Sequence, residues 1–348
     1  MKSISAENNK RLEPGYSCNG KKKNAIQLIV VGDFFQLPPV IKKEDREILV
    51  EMYGTEYEQG ETCERGYAFF SKAWKEMKFH CVKLEEVCRQ KDAEFLGILN
   101  DIKYGRNLQN VIAYLESNQS SDLIEEAPYF VGTNAKADKI NQAHMRALDE
   151  KTEKKFWAII EGDVTYEDIK NISYAKQSLV VNIGAKVMLT ANDANGEYVN
   201  GTMGTIIDIS KERGDATCIQ VLTDKGKKVD VYRYEREIER QDIEESKEKN
   251  KNGETVIVKK IVRKIVGSFK QFPIKIAWAL SIHKSQGQTF SQVNIDPQCW
   301  DSGQFYVAVS RAESVAGIHF MAPIMKQYIR TLSDEVIKIL RESLYSII

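Results

Sequence analysis

Hydrophobic and polar positions follow two different patterns in this chain, and the change lies near residue 180. Before it, short apolar runs end in polar residues, as in 25–33 (AIQLIVVGD) and 128–132 (PYFVG). Such runs are typical of buried parallel strands that deliver polar side chains at their carboxyl ends. Residues 43–120 are predicted to be mainly helical, with one strand near 79–84. Alternation of strands and helices favours an α/β layer architecture.

A helix is predicted to follow the strand at 128–132. Thr133 and Asn134 are residue types that cap helix starts, and the helical pattern runs through about residue 149. Beyond residue 180, glycine and asparagine turns separate strand-like runs, which lie at 180–190, 200–210 and 216–223.

The stretch 233–264 is dense in charge and contains the turn pair Asn252-Gly253. It predicts a long, exposed β-hairpin, although a solvated charged face without a specific role explains the same pattern. A buried strand is then predicted at 274–282, followed by a strand near 292–295 and a helix from about Gln304. The last residues, 333–348, predict an amphipathic helix. The β-rich region is therefore expected to be inserted into a larger α/β domain.

Composition narrows the class of protein without naming a partner. At about 150 residues per domain, 348 residues suggest about two domains. The net charge is +0, which neither favours nucleic acid nor excludes a local basic groove. None of the six cysteines has C-x-x-C spacing, so no metal site is predicted. No apolar run suits a signal peptide or a membrane span. We expect a soluble cytoplasmic protein, bacterial or phage-like, or one of another intracellular compartment, with no membrane partner.

Three segments carry candidate chemistry. In 31–40 (VGDFFQLPPV), Asp33 and Gln36 follow a strand within a proline-braced loop, where they suit a phosphate or a metal-bound water; a purely structural turn is the alternative. In 281–290 (SIHKSQGQTF), a cluster of hydroxyl, amide and ammonium donors suits contact with a phosphate backbone. The cluster consists of His283, Lys284, Ser285 and Gln286, and it precedes Gly287.

The third segment, 306–314 (YVAVSRAES), is predicted to be a helix that brings Arg311 to one face. Arginine suits a developing phosphate charge because its planar guanidinium is always cationic, although a surface ion pair is the commoner use of a single arginine. The string 84–90 (LEEVCRQ), with Arg89 and Gln90, is weak evidence alone.

Together and in this order, these strings resemble superfamily-one helicases of the PIF and RecD type. The segment 31–40 resembles the third motif of that family, and VCRQ (87–90) resembles the fourth. Residues 273–290 resemble the fifth motif, and 306–314 the sixth. The resemblance spans about residues 26–322, and it includes IGAKVMLTAN with NGTMGTI, which begin the small barrel that the family inserts into its second lobe.

The resemblance implies a fold, a reaction and site residues. It implies two RecA-like lobes that bind ATP with Mg²⁺ between them and move along single-stranded DNA from 5′ to 3′, in replication, repair or recombination. The residues implied in catalysis are Asp33, Gln36, Arg89 and Arg311. Those implied in nucleotide binding are Gly32, Gln36, Arg89, Gly287, Gln288 and Arg311. Those implied in DNA binding are Thr133, Asn134, His283, Lys284, Ser285 and Gln286.

The same resemblance predicts a division into parts. Residues 1–78 would be the remnant of a first RecA-like lobe, and 79–190 and 273–348 the two parts of the second lobe. Residues 191–272 would be the inserted small β-barrel with its charged hairpin. The fold class is therefore α/β, a RecA-like parallel sheet of the P-loop NTPase type with a β-barrel insert.

A complete motor also needs a phosphate-binding P-loop and an acidic pair for Mg²⁺. The family carries both ahead of the third motif, and neither is found in the roughly 25 residues that precede it here. Gly15 to Lys21 has the P-loop spacing of glycine and lysine, but Lys22 follows instead of serine or threonine. We therefore expect the isolated chain to hydrolyse ATP poorly unless a partner protein supplies the missing lobe. The alternatives are a single-stranded-DNA-binding protein without catalysis and a subunit of a helicase complex.

Overall fold

The computed structural model describes residues 2–5, 28–39, 67–77, 79–84, 86–169, 177–211, 217–249, 255–334, 336–338 and 340. Within them the strands, in chain order, are β1 (Lys2–Ser5), β2 (Ile29–Gly32), β3 (His80–Lys83), β4 (Tyr129–Val131), β5 (Lys154–Trp157), β6 (Ile159–Gly162), β7 (Ser178–Val181), β8 (Lys186–Leu189), β9 (Met203–Lys211), β10 (Thr217–Thr223), β11 (Lys228–Val231), β12 (Tyr234–Lys249), β13 (Thr255–Gln271), β14 (Ile274–Ile276), β15 (Ala279–Ser281), β16 (Val293–Ile295) and β17 (Ile318–Phe320). The α-helices are α1 (Lys72–Met77), α2 (Ala93–Tyr104), α3 (Leu108–Asn118), α4 (Asn134–Arg146), α5 (Tyr166–Ile169) and α6 (Gln304–Val309).

The chain divides into two compact units. One contains Met1–Ala137 and Leu280–Ile348, and the other contains Asp138–Ala279. The β-rich unit thus interrupts the first unit in sequence, as an insertion would. The four-part division expected from the sequence stays a prediction.

A four-stranded sheet with the order β15-β4-β16-β17 is the centre of the first unit. Strand β16 runs parallel to both β4 and β17. Every residue of β15, β4 and β16 is buried, and Phe130, Leu280 and Ile295 have no exposed surface. The α/β class with a parallel sheet, predicted from the sequence, is confirmed. Because β4 and β16 are parallel, the residues that follow them, Gly132 and Asp296, lie at the same edge of the sheet.

The prediction of a buried parallel strand at 25–33 is wrong for the described residues. Strand β2 pairs antiparallel with β1, which also pairs antiparallel with β3. Ile29 and Val31 are 56% and 53% exposed. The apolar run correctly predicts an extended strand, but it carries no information about which strand will pair with it or whether a layer covers it.

The single strand predicted at 274–282 is also wrong, because it is two strands in two sheets. Strand β14 pairs antiparallel with β8 in the second unit, whereas β15 is an edge strand of the four-stranded sheet of the first unit. Every residue from Ala277 to Ile282 is buried. A continuous apolar run therefore hides the point at which the chain leaves one sheet for the other.

The second unit contains antiparallel sheets. Five strands follow the order β11-β10-β9-β8-β14, and β12, β13 and β6 form another sheet. The strands β12 and β13 pair from Tyr234↔Gln271 to Lys249↔Thr255, so the long hairpin predicted over 233–264 is confirmed. Its turn at Asn252-Gly253 lies outside the described residues. Closure of the five-stranded sheet into a small barrel stays a prediction.

The predicted helices are largely confirmed. The Thr133 hydroxyl accepts a hydrogen bond from the Lys136 N–H (3.3 Å) at the start of α4, which ends at Arg146 rather than near 149. Helix α6 begins at Gln304 as predicted. The described positions after Ser333 are helical, and the Ser333 hydroxyl accepts from the Val336 N–H (3.4 Å). None of the helices among the described residues has the length and apolar character needed to cross a membrane.

Candidate functional site

The loop after β2 is a tight turn built by Asp33. One carboxylate oxygen of Asp33 accepts from the Phe35 N–H (3.1 Å), and its carbonyl accepts from the Gln36 N–H (3.1 Å). Pro38 is buried and Gly32 is exposed at the end of the strand. Asp33 and Gln36 therefore stand on a rigid turn, as the proline-braced sequence predicts.

Lys103, in the last turn of α2, reaches this loop. Its ammonium lies 3.5 Å from the Asp33 carboxylate, and the two side chains are 17% and 12% exposed. The same ammonium lies 4.6 Å from the centre of the Phe35 ring and 5.7 Å from that of Tyr306. Two aromatic rings thus shelter the ion pair from solvent. Through Lys103, the loop contacts both α2 and α6.

Gly303, which caps the start of α6, lies directly against the same loop. Its φ is 73°, in the left-handed region that favours glycine. A Cβ built at this position would lie 2.5 Å from the Phe35 carbonyl oxygen. Only a glycine therefore lets the loop approach the start of the helix this closely.

Arg89 is held in place by the loops of the predicted fifth and sixth motifs. Its Nε donates to the Thr289 hydroxyl (2.9 Å), and its Nη1 donates to the Ser310 carbonyl (2.9 Å). The Gln90 amide donates to the carbonyls of Ser310 (3.0 Å) and Ala312 (2.8 Å). Among the described residues, no acceptor takes the Nη2 hydrogens of Arg89, so this end of the guanidinium can receive another anion.

Arg311 is almost fully buried, with 2% of its surface exposed. Its Nε donates to the Val307 carbonyl (3.1 Å) and its Nη2 to the Ser310 hydroxyl (3.0 Å). Burial, and then the charge of Arg89, lower the pKa of Arg311 to about 10. The guanidinium is still charged at neutral pH, but the folded protein holds that charge at a free-energy cost.

Positive charge is in excess where these groups meet. Arg89, Arg311 and Lys103 are cations; the Asp33 carboxylate pairs with Lys103, and its charge also acts on Arg311. In the part of the chain that the structure describes, no carboxylate forms an ion pair with either arginine. Tyr306 lies among these charges, and burial followed by the Asp33 charge raises the pKa of its hydroxyl. A multiply charged anion such as a phosphate would relieve the repulsion between the cations.

The predicted fifth motif forms a single 3₁₀ turn (Ile282–Ser285) followed by a glycine bend. Ser285 is fully buried, and its hydroxyl donates to the Ile282 carbonyl (2.8 Å), so it holds the turn and does not face solvent. Gln286 is exposed, and Gly287 has a φ of 82° with open space around it. The Gln288 N–H donates to the Ser285 carbonyl (3.2 Å), which brings Thr289 to Arg89.

The two remaining members of this motif are partly buried. His283 and Lys284 both keep some exposed surface. Burial lowers the pKa of His283, and the charge of Asp301 opposes that shift. His283 is therefore neutral at pH 7 unless an anion binds beside it.

A second polar surface lies at the carboxyl edge of the parallel sheet. Thr133 and Asn134 are both exposed at the start of α4. Close by, the Lys136 ammonium lies 2.5 Å from the Asp296 carboxylate and 3.0 Å from the Gln298 amide oxygen. The predicted site residues therefore form two groups: Asp33, Arg89 and Arg311 around the cationic centre, and Thr133 and Asn134 at the sheet edge.

Three residues with a clear place in these sites were not found from the sequence, namely Lys103, Tyr306 and Trp300. Lys103 pairs with Asp33, which is 70 positions away, and Tyr306 lies beside Lys103, which is about 200 positions away; no local pattern marks such contacts. None of the described residues forms a cluster of histidine, cysteine and carboxylate side chains suited to a metal ion.

The chain is similar to known proteins over most of its length. The ATP-dependent DNA helicase Pif1 of Bdellovibrio bacteriovorus is 30% identical over 299 residues, which are 85% of this chain and 58% of that protein. A crystal structure of Bacteroides Pif1 bound to single-stranded DNA superposes with a TM-score of 0.65 at 29% identity, over 89% of this chain and 65% of that one. The chain is homologous to Pif1 helicases. No family model matches it.

The Pif1 homology confirms the resemblance that the sequence motifs suggested, and with it the RecA-like α/β fold. A Bacteroides Pif1 structure in complex with ADP-AlF3 and single-stranded DNA matches with a TM-score of 0.65 at 28% identity, over 90% of this chain and 66% of that one. The chain thus spans less than two thirds of the length of each of these Pif1 proteins. The roles of the individual site residues stay predictions.

Proposed function

We propose that this chain is a module of an ATP-dependent DNA helicase, in which the cationic centre contacts the γ-phosphate of ATP and the sheet edge contacts single-stranded DNA. The observation that carries the proposal is the meeting of three cations: Lys103 pairs with Asp33, and the charges of Asp33 and Arg89 both act on the buried Arg311. In phosphoryl transfer, cations of this kind stabilise the charge that develops on the transferring group.

Each member of the centre would have a separate task. Arg89 keeps its Nη2 free among the described residues, so it is the arginine that can donate directly to a phosphate oxygen. Arg311 is more deeply buried and would act through charge and by fixing the Ser310 loop that holds Arg89. Asp33 and Gln36 would orient water or the Mg²⁺ that accompanies ATP. The P-loop that cradles the remaining phosphates would come from another segment or protein.

The DNA side of the proposal uses the sheet edge and the fifth motif. Thr133 and Asn134 are exposed there, and Lys284 and Gln286 keep exposed surface on their turn. Hydroxyl, amide and ammonium donors of this kind bind phosphate and sugar groups without reading the sequence of bases. Relatives solved with single-stranded DNA support this choice of partner.

The DNA side is tested by fluorescence anisotropy with a labelled oligo(dT). We expect the wild type to bind, and Lys284→Ala to weaken binding more than Lys326→Ala, a change of equal charge at an exposed lysine outside the predicted motif. Equal weakening by both variants would assign the effect to net charge and would remove Lys284 from the site.

The choice between enzyme and binding protein is tested separately. In a mixture with a protein that supplies a P-loop lobe, ATP hydrolysis that rises on addition of oligo(dT) supports the helicase module. If a protein that supplies a P-loop lobe is added and hydrolysis still does not occur while DNA binding persists, the chain is a single-stranded-DNA-binding protein.

A further inference from the structure

Trp300 is one of the most exposed aromatic side chains among the described residues. It is 53% exposed, although it follows a buried parallel strand and precedes a buried helix. Tryptophan has a large apolar side chain. Leaving half of it in contact with water forgoes much of the free energy that burial would contribute, so a ligand that covers the ring would gain that contribution.

The exposed indole is nevertheless held in one position. Its ring N–H donates to the Gly132 carbonyl (3.3 Å), and its backbone N–H donates to the side-chain oxygen of Gln304 (2.9 Å). The Gln304 amide also donates to the Gly132 carbonyl (3.1 Å), and Gln304 is fully buried. A single buried glutamine thus ties the tryptophan to the end of strand β4.

The backbone of Gly132 lies close to the indole ring of Trp300. A Cβ at Gly132 would lie 3.4 Å from Cδ1 and 3.5 Å from Nε1 of Trp300, and 3.3 Å from the Gln298 carbonyl oxygen. The indole therefore lies directly against the backbone of residue 132. A ring that is already ordered loses little conformational entropy when a ligand stacks on it.

The groups around the ring are polar. Thr133 and Asn134 follow Gly132 directly and are exposed, and Gln298, Asp301 and Ser302 are the polar neighbours of Trp300 along its own loop. An aromatic face in a polar setting suits a nucleic-acid strand, whose bases have flat π-faces and whose backbone is charged, better than the broad apolar face of a protein partner.

We propose that the indole of Trp300 is a stacking platform for an unpaired base of single-stranded DNA, at the carboxyl edge of the parallel sheet. The inference rests on the DNA binding proposed above. Thr133 and Asn134 hold the adjacent phosphates while the base lies on the indole. Base–aromatic stacking tolerates any sequence because every base has a π-face, so the platform adds affinity without specificity.

The test compares oligo(dT) with an oligonucleotide of the same number of phosphates in which every nucleotide is abasic. Trp300→Ala should weaken binding to oligo(dT) by about tenfold or more and leave binding to the abasic strand nearly unchanged. Trp300→Phe, which keeps a ring, should retain most of the affinity. Trp157→Ala, a control at a tryptophan that is 61% exposed in the second unit, should bind both strands as the wild type does.

The outcomes separate this inference from the proposed function. Loss of affinity for both strands with Trp300→Ala would mean that the residue holds the loop, which overturns stacking. Equal affinities of Trp300→Ala and Trp157→Ala would overturn it as well, while leaving DNA binding in place. A wild type that binds neither strand would overturn the proposed DNA binding itself.

Discussion

Lys103 and Asp33 form an ion pair of 3.5 Å although 70 positions separate them in the chain, and both side chains are more than four-fifths buried. The pair joins helix α2 to the turn that follows β2. Because Lys103 also lies over the rings of Phe35 and Tyr306, it connects the turn to helix α6. The turn that carries Asp33 is therefore tied to both helices through Lys103.

Replacing Lys103 with methionine should destabilise the protein. The change leaves the Asp33 carboxylate without its partner in a sheltered position, which costs about 1–3 kcal/mol in the free energy of unfolding. Urea denaturation followed by circular dichroism measures it. Lys326→Met, at an exposed lysine, is the control and should change stability little. If both variants lose equal stability, the ion pair contributes nothing of its own.

Replacing Gly303 with alanine should lower the free energy of unfolding by more than the loss of a left-handed glycine alone explains. Gly226 has a φ of 78° with nothing within 4 Å of its Cβ position, whereas the Cβ of residue 303 would lie 2.5 Å from the Phe35 carbonyl oxygen. Alanine at 226 should cost about 1–2 kcal/mol through its backbone conformation. Alanine at 303 should cost at least about 1 kcal/mol more, because the turn must move. Equal losses in urea denaturation would mean that the close approach is unimportant.

A phosphate anion should stabilise the cationic centre. If the cationic centre of the folded protein holds phosphate, pyrophosphate should raise the Tm of the wild type by several degrees, because a ligand that prefers the folded state stabilises it. Arg89→Ala should lose most of this rise, and the control Arg263→Ala, at an arginine that is 72% exposed, should keep it. A rise that survives Arg89→Ala would locate the anion elsewhere.

Acidification should destabilise the protein in part through His283. Burial lowers the pKa of this side chain in the folded state, so the unfolded chain takes up the proton first. Stability is therefore full above about pH 6.5, the usual pKa of histidine, and falls as the pH drops below it. Comparison of urea denaturation at pH 7.5 and 5.5 should show a smaller loss for His283→Gln than for the wild type. Burial lowers the pKa of His144 too, so part of the loss should remain in the variant. An equal loss would assign the pH dependence to other groups.

Short-range patterns were sufficient to predict most elements. The starts of α4 and α6, and the long hairpin of β12 and β13, follow from capping residues and alternation that are local in sequence. The predictions that were wrong concern strands whose position depends on which other strands they pair with. The exposed β2 and the division of 274–282 between two sheets are decided by which strands pair, and the chain's own hydrophobicity is the same in either case.

The residues of the candidate site also fall into those that local sequence could indicate and those that it could not. Asp33, Arg89 and Arg311 could be selected because each lies in a string that resembles a helicase motif. Lys103 and Trp300 could not, because nothing next to them in sequence indicates their contacts with Asp33 and Gly132. Ser285 was selected for its polar side chain; it is buried and its hydroxyl donates to the Ile282 carbonyl, and its part in DNA binding stays a prediction.

The most direct test of the account is the equilibrium affinity of this chain for oligo(dT) and for a duplex of equal length, measured over a series of salt concentrations. The account predicts preferential binding to the single strand, with an affinity that falls as salt rises because phosphate contacts release counterions. Absence of binding to the single strand at low salt would contradict it.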